Sequence, residues 1–191
     1  MNTDKLYTNS MLAVIIVTAL TRLTPHWPNF TPVVAVALVG GALLSKRWLA
    51  SITPLAAMVL SDLALGLVYG DGWAWHGTTL YVYGSVALAT FIGWSMRNTS
   101  PMRQTLVGGT LASVLFFLIT NFGVWYGSSM YSQDLSGLTM CYAAGLAFYE
   151  NSGNFLLNGV VSTWMFMAAL FGASALIRRR VQRAVAQRST H

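Results

Sequence analysis

Residues 22–32, RLTPHWPNFTP, separate two apolar segments and hold three of the five prolines of the chain. Each X-Pro bond moves the preceding residue out of the helical region, so this Pro-rich segment is predicted to be non-helical. Thr31 is the expected N-cap and Pro32 the expected first residue of the next helix. That helix is short, because its apolar and small residues run only over 33–44.

A helix of that length covers about 20 Å at ~1.5 Å per residue, whereas the hydrocarbon core of a bilayer is roughly 30 Å thick. If the helix crosses a membrane, the Pro-rich segment must therefore enter the membrane with it. Non-helical backbone at that depth is tolerated only where it packs within protein or lines a wet cavity. We expect the Pro-rich segment to form one wall of a pocket.

The composition indicates a membrane protein. The chain has 191 residues, of which 55% are hydrophobic and only 8% are charged, whereas soluble domains carry about 25% charged residues. The net charge of +6 would suggest nucleic acid as a partner of a soluble protein. Here the basic residues cluster at the ends of apolar segments, so they report membrane topology and we expect no nucleic acid partner.

Six hydrophobic segments can be distinguished, and together they predict an all-α, polytopic bundle of six transmembrane helices in one domain, residues 1–191. The segments are followed by a basic tail, residues 178–191. They cover about 6–20, 33–44, 48–68, 80–96, 106–126 and 155–177.

Positive charge alternates between successive loops. Lys46 and Arg47 follow the second segment, Arg97 and Arg103 follow the fourth, and the tail follows the sixth, whereas the loops at 69–79 and 127–154 contain no Lys or Arg. Basic loops stay in the cytoplasm. Both termini are therefore predicted to be cytoplasmic, in a multi-pass protein of a bacterial inner membrane.

Polar and aromatic residues collect on the predicted outer side. An apolar, aromatic-lined concavity with a few convergent polar groups is typical of a small-molecule site. The alternative is an interfacial belt of Trp and Tyr beside ordinary solvated loops. The candidate substrate-binding residues are Arg22, His26, Trp27, Asn29, Phe30, Asp62, Asn121, Trp125 and Tyr126.

Asp62 is the most informative of these residues, because it lies about two turns inside the third segment. An ionised carboxylate within a membrane costs about 2.5–3.5 kcal/mol on the gentler insertion scale, so it should face the interior and have a partner. Arg22, the only cation on the predicted outer side, is the expected partner, and His26 is the alternative. The pair is either purely structural or part of a substrate- or proton-binding site.

Other polar residues leave alternatives open. Asn121 either clamps the Pro-rich segment or binds a ligand, and His26 is either a structural histidine or a ligand contact. His76 lies in the loop 69–79, which is either a lid or a solvated loop. Residues 138–149 are predicted to form a short interfacial or re-entrant helix beside the site, with the loop 131–151 as a second lid.

No enzyme motif is present in the sequence. The nucleophile elbow, the zinc-protease helix, the phosphate-binding loop and the dinucleotide fingerprint are all missing. Three histidines and one cysteine, Cys141, stand at spacings that do not suit a metal site. Cys141 is expected to be a buried, inert thiol. We therefore expect no enzyme activity, no cofactor and no metal.

Four motifs resemble those of a bacterial family of uncharacterised membrane transport proteins, and the resemblance extends over nearly the whole chain. The size and the six-helix layout also resemble the substrate-binding S components of energy-coupling factor (ECF) vitamin transporters. The motifs are PHWPNFTP at 25–32, GGA at 40–42, PLAAMVLSD at 54–62 and TNFGVW at 120–125.

The resemblance to S components implies uptake of a vitamin-like metabolite, energised by a separate transmembrane and ATPase module. S components commonly dock through an Ala-xxx-Ala motif on the first helix, but here Ala13 is followed by Val17. The nearest pair of small residues at this spacing is Ala37 and Gly41. At this position the sequence therefore differs from the S-component docking pattern.

The sequence therefore predicts a membrane component that takes up a small metabolite through an outward-facing pocket. One alternative is a membrane scaffold or assembly partner that transports nothing. A third is a protein similar to solitary cobalamin transporters, with Cys141 or His76 as a cobalt ligand, although no motif match supports that role.

Overall fold

The computed structural model describes residues 3–70, 75 and 77–188, and the described residues form an all-helical bundle. Residues 71–74 and His76 of the predicted lid at 69–79 lie outside the described residues. A 3-10 turn, Thr21–Leu23, follows the first helix, and a π-helical turn, Gln104–Gly109, interrupts the fifth. The helices are α1 Thr3–Leu20, α2 Val33–Leu43, α3 Arg47–Tyr69, α4 Thr79–Ser95, α5 Pro101–Gly127, α6 Leu135–Leu146 and α7 Phe155–Arg188.

Four helical stretches in the described part of the chain are long and apolar enough to cross a membrane: Thr3–Leu23, Arg47–Tyr69, Pro101–Gly127 and Phe155–Gln187. The other two predicted spans are shorter, because α2 has 11 residues and α4 has 17. The predicted segments all coincide with helices. Two boundaries differ by five residues or more, since α5 begins at Pro101 and α7 continues through residues 178–188 of the predicted tail.

The short helix α2 forms the centre of the bundle. All its residues from Val33 to Gly41 are buried, and it packs against α1, α3, α4, α5 and α7. A helix that is apolar on every side is stable only where other helices surround it. Here α2 and α4 touch backbone to backbone: a Cβ on Gly41 would lie 2.1 Å from the carbonyl oxygen of Thr90, and one on Gly93 would lie 2.0 Å from that of Leu38.

The C-terminus of α2 is closed by an arginine from beyond α4. Arg97 Nη2 donates to the carbonyl oxygens of Gly41, at 2.8 Å, and Leu44, at 3.3 Å. These carbonyls have no partner within the helix, and a cation also stabilises the negative end of the helix dipole. The guanidinium of Arg47 lies 4.2 Å from the ring centroid of Trp94. The basic residues at this end therefore fasten α2, α3 and α4 together.

The Pro-rich segment is non-helical from Thr24 to Pro32, as predicted, whereas Arg22 and Leu23 belong to the 3-10 turn. The predicted capping by Thr31 is wrong. Pro32 precedes the first helical residue, Val33, and its carbonyl oxygen accepts the first helical bond from Val36. Thr31 is therefore one residue too early to be the N-cap.

Helix α7 holds the Pro-rich segment in place. Asn158 Nδ2 donates to the carbonyl oxygen of Pro28, at 2.9 Å, and Ser162 Oγ donates to that of Asn29, at 3.4 Å. Asn29 has a φ of 60°, a left-handed conformation that asparagine adopts more readily than most residues. Hydrogen bonds from α7 thus fix the bends that two prolines and Asn29 produce in the Pro-rich segment.

Candidate functional site

A cavity of about 410 Å³ opens at one end of the bundle, and we call it the Arg22 cavity. The Pro-rich segment forms one wall, as the sequence predicted, and α5 and α6 form the opposite wall. The polar lining residues are Arg22, Asn29, Thr31, Thr78, Thr120, Asn121, Tyr131, Cys141 and Tyr149. The apolar lining residues include Val33, Met58, Val82, Phe116, Val124 and Phe155.

The Arg22 cavity lies at the end of the bundle opposite the basic loops. Arg22 follows the last residue of α1, Asn121 is in the last turns of α5, and Phe155 is the first residue of α7. At the other end Arg178 of α7 lies over the ring of Tyr7 in the N-terminal half of α1, with 5.1 Å between the guanidinium carbon and the ring centroid. A second cavity, of about 510 Å³, is present there.

The predicted pairing of Asp62 with Arg22 is confirmed. Arg22 Nη1 donates to Asp62 Oδ1 and, at 2.8 Å, to Ser61 Oγ. Tyr83 OH on α4 donates to the other carboxylate oxygen, Oδ2, at 2.7 Å. The carboxylate is thus held on both oxygens, which is what a buried anion needs.

Asp62 itself is not among the residues that line the cavity. Its side chain is 5% exposed, whereas that of Arg22 is 17% exposed. Arg22 therefore stands between the carboxylate and the cavity. The ion pair links the end of α1 to α3 and, through Tyr83, to α4, and only its cationic member reaches the cavity.

The α6 side of the cavity is a short helix, as predicted for residues 138–149, although the helix runs from Leu135 to Leu146. It packs closely on α5, because a Cβ on Gly145 would lie 2.7 Å from Phe117 Cε2 and 3.0 Å from Asn121 Oδ1. Asn121 Nδ2 donates to the carbonyl oxygen of Phe117, at 2.9 Å, within its own helix. Asn121 thus lines the cavity and does not clamp the Pro-rich segment, a task that belongs to Asn158 and Ser162.

Cys141 is buried, as predicted, with a relative exposure of 2%. Its Sγ donates to the carbonyl oxygen of Asn121, at 3.3 Å, and burial raises the pKa of the thiol. Asp134 caps the N-terminus of α6 by accepting a hydrogen bond from the amide of Gly137, at 2.8 Å. That bond and one from the hydroxyl of Ser132 lower the pKa of Asp134.

Three of the predicted contacts lie outside the lining of the Arg22 cavity, on the surface of the Pro-rich segment. His26 is exposed, and its Nδ1 lies 2.9 Å from the carbonyl oxygen of Trp27. Trp27 is 62% exposed, and Phe30 meets its ring edge to face with centroids 6.3 Å apart. Their role in binding a substrate stays a prediction.

Two further predicted contacts at the end of α5 also lie outside the lining. Trp125 Nε1 donates to the carbonyl oxygen of Ser132, at 2.8 Å, so it orders the connection to α6. Tyr126 is 65% exposed and stacks on Phe122. Among the predicted site residues, the cavity therefore brings together Arg22, Asn29 and Asn121, with Asp62 behind Arg22.

Residues that the sequence analysis did not single out complete the site. Tyr83 is the second partner of Asp62, and Asn158 and Ser162 hold the Pro-rich segment. The role of Asn158 could have been predicted from the sequence, because a side-chain amide at the fourth position of an apolar segment needs a hydrogen-bond partner, as the carboxylate of Asp62 does. The role of Tyr83 could not have been predicted, because tyrosine is common near membrane interfaces.

Within residues 3–70, 75 and 77–188 no group of three His, Cys, Asp or Glu side chains is placed to hold a metal ion. The described lining of the Arg22 cavity instead provides hydrogen-bonding groups, one cation and an apolar floor, which consists of Val33, Met58, Val82 and Phe116. Such a lining suits the binding of a small organic molecule.

Comparison with known proteins places the chain in one family. Residues 3–186 match the model of a family described as "Family of unknown function (DUF6580)". The chain belongs to DUF6580. No curated protein and no solved structure matches it. The match covers the seven helices of the described residues up to residue 186, and so includes both walls of the Arg22 cavity.

Proposed function

We propose that this DUF6580 protein is a substrate-binding transport component of the bacterial cytoplasmic membrane, which takes up a small, vitamin-like metabolite through the Arg22 cavity. The observation that carries the proposal is the position of the cavity, at the end of the bundle opposite the basic loops. Basic loops remain in the cytoplasm, so the cavity opens to the outside. A component that captures a metabolite for uptake needs such an opening.

The course of the chain supports six membrane crossings. Helices α1 and α3 both run toward the Arg22 cavity, because Arg22 and Asp62 form an ion pair there. The chain must therefore return to the opposite end before α3 begins at Arg47, and α2 with the Pro-rich segment makes that return. Helix α4 makes the second return, since Asn121 near the end of α5 lines the same cavity. Both termini then lie in the cytoplasm.

The volume and lining of the cavity support a small ligand. Binding pockets for small molecules measure about 300–1,000 Å³, and 410 Å³ lies near the lower limit. A vitamin of one or two rings fits that volume, whereas cobalamin is far larger than a pocket of this class holds. The volume thus favours a vitamin-like metabolite over the cobalamin alternative.

A separate energising module would need a docking surface other than the small-residue pair on α2. Ala37 is completely buried, and Gly41 packs against the backbone of Thr90. Both residues are occupied within the bundle. Helices in membranes commonly associate through exposed small residues, and these two are not exposed. Docking to a transmembrane and ATPase module would therefore use other residues, on the lipid-facing helices.

The scaffold alternative is favoured by one observation: the buried polar residues largely satisfy one another. Asp62 is saturated by Arg22 and Tyr83, and Asn158 by carbonyl oxygens of the Pro-rich segment and of Ser152. A scaffold needs nothing more from these groups. A scaffold does not, however, require the Arg22 cavity, whereas a component that binds a metabolite does.

The test fills the cavity without touching the ion pair. Ala144 lines the cavity, whereas its neighbour Ala143 is exposed and does not. Native mass spectrometry of the detergent-purified protein should detect a co-purified small molecule in the wild type and in Ala143→Trp, but not in Ala144→Trp. An empty wild-type protein that a panel of vitamins also fails to stabilise against heat would contradict the proposal and favour the scaffold.

A further inference from the structure

We infer that the Arg22 cavity selects a small organic carboxylate, whose carboxyl group binds the guanidinium of Arg22 while its apolar body occupies the floor of the cavity. The inference rests on the proposed function, since it names the chemical class of the ligand. It begins with the hydrogen-bonding capacity of Arg22.

Arg22 uses only part of its hydrogen-bonding capacity within the protein. A guanidinium offers five N–H donors in a planar fork. The bonds to Ser61 and Asp62 both leave from Nη1, and neither Nε nor Nη2 of Arg22 is bonded to a described residue. The donors that the described residues leave unbonded, on Nε and Nη2, lie side by side on one edge of the fork, which is an edge that binds a carboxylate through two parallel bonds.

The ion pair turns its positive end toward the cavity. Arg22 lines the cavity and Asp62 does not, and their side chains are 17% and 5% exposed. Both oxygens of Asp62 are engaged on the buried side, by Arg22 and by Tyr83. A ligand in the cavity therefore contacts the guanidinium of Arg22, whereas the carboxylate of Asp62 lies farther away, behind Arg22. The electrostatic potential at the cavity wall thus favours an anion.

Among the described residues, the rest of the lining contains no competing anion. No Asp or Glu is among the described residues that line the cavity, and Asp134 and Glu150, on the same side of the molecule, are exposed outside it. Asn29, Thr31 and Tyr131 add neutral hydrogen-bonding groups to the wall. A cationic ligand would be repelled by Arg22, with no described carboxylate in the lining to offset the repulsion. A ligand without an anionic group would leave N–H donors of Arg22 unpaired on binding.

The apolar floor and the volume limit the rest of the ligand. Val33 and Val82 line the cavity, and Met58 and Phe116 line it about one turn further from the helix ends than Asp62 and Asn121. The whole space measures about 410 Å³. The ligand is thus an acid with one ring or a short chain, bound by its carboxylate at Arg22 and by apolar contact below it.

Matched acid and amide pairs test the inference. Nicotinate and nicotinamide, and benzoate and benzamide, have nearly the same shape and differ in charge. The acids should raise the unfolding temperature of the purified protein in a saturable manner, with the amides at least tenfold weaker. The effect of the acids should persist in Ala143→Trp and disappear in Ala144→Trp.

A second variant examines Arg22 itself. Arg22→Gln combined with Asp62→Asn removes both charges and keeps hydrogen-bonding side chains, and replacing both members of a buried pair is tolerated far better than removing one. This variant should lose the preference for acids over amides. Should it fail to fold, the comparison of Ala144→Trp with Ala143→Trp still decides whether the acids bind in the cavity.

Several results would overturn the inference. They are amides that stabilise as strongly as the acids, acids that stabilise nothing up to millimolar concentration, and an acid preference that survives in the double variant. A neutral or cationic compound that co-purifies in the cavity would also overturn it, and would leave the proposed uptake function standing. An anionic compound found there would support both.

Discussion

The network of Arg22, Asp62 and Tyr83 makes a quantitative prediction about stability. As a whole residue Asp62 is only 3% exposed, and its carboxylate accepts hydrogen bonds from Arg22, which follows α1, and from Tyr83 of α4. Asp62→Asn removes the charge that pairs with Arg22, and Tyr83→Phe removes only the hydroxyl that donates to Oδ2. The two variants and their combination form a double-mutant cycle, which isolates the coupling between the side chains.

The magnitudes follow from the burial of each group. Removing one member of a buried ion pair costs about 3–5 kcal/mol, and the lower figure applies to Asp62→Asn because Arg22 can be hydrated from the cavity. Loss of a hydrogen bond to a charged group costs roughly 1.5–3 kcal/mol, so Tyr83→Phe should cost about 2 kcal/mol. In the double variant the second change should cost about 1 kcal/mol less than in the wild type, since its partner has already lost its charge.

Thermal unfolding in detergent measures these effects. For a chain of this size each kcal/mol shifts the midpoint by roughly 2–4 °C, so Asp62→Asn should unfold about 6–12 °C below the wild type and Tyr83→Phe about 4–8 °C below it. Tyr81→Phe, on the same helix, is the control and should change little. An Asp62→Asn protein as stable as the wild type would refute the argument that the buried pair holds α1, α3 and α4 together.

Three further predictions concern packing, exposure and orientation. Gly93→Ala should lower the free energy of unfolding by about 1–3 kcal/mol, the usual cost of overpacking, because its Cβ would lie 2.0 Å from a backbone oxygen. Gly40→Ala is the control: the nearest atom would be 3.4 Å away, so its thermal unfolding should change little. Equal losses in the two variants would contradict the close approach of α2 and α4. Cys141 should react with a maleimide far more slowly than the thiol introduced in the Ser129→Cys, Cys141→Ser variant, because Cys141 is only 2% exposed. The pKa of its thiol is also raised. Its reactive thiolate therefore forms only at higher pH, and the rate of its reaction should level off at a higher pH as well. In intact cells a membrane-impermeant maleimide should label Ser129→Cys from outside, and its failure to do so would contradict the proposed orientation.

The positions of the helices could be predicted from the sequence because they depend on composition along the chain. Apolar runs bounded by charges and prolines coincide with helices, and even the short run at 33–44 became α2. The pairing of Asp62 with Arg22 was also predictable. A carboxylate within an apolar segment must find a partner, and only one cation was available on the predicted outer side.

The aromatic part of the candidate site could not be predicted in the same way. Trp27 and Tyr126 have the right composition for a binding pocket, yet they lie largely exposed outside the Arg22 cavity. Which face of a segment turns inward depends on how neighbouring helices pack. Composition near a helix end therefore places such residues at the correct end of the bundle but does not determine their direction.

The sequence by itself determined the all-helical class, the positions of the apolar segments, the segregation of basic loops and the need for an Arg22–Asp62 pair. Each of these follows from the cost of placing charge or unpaired backbone in an apolar medium, which is a property of single residues and short segments. Only the tertiary structure decided that α2 is central, that Asn158 and Ser162 hold the Pro-rich segment, and that Arg22 rather than Asp62 faces the cavity. These outcomes depend on contacts between residues that lie from 39 to 133 positions apart in the chain. They also depend on the rotation of each helix against its neighbours, because a hydrogen bond or a close glycine contact forms only at one relative position of two helices.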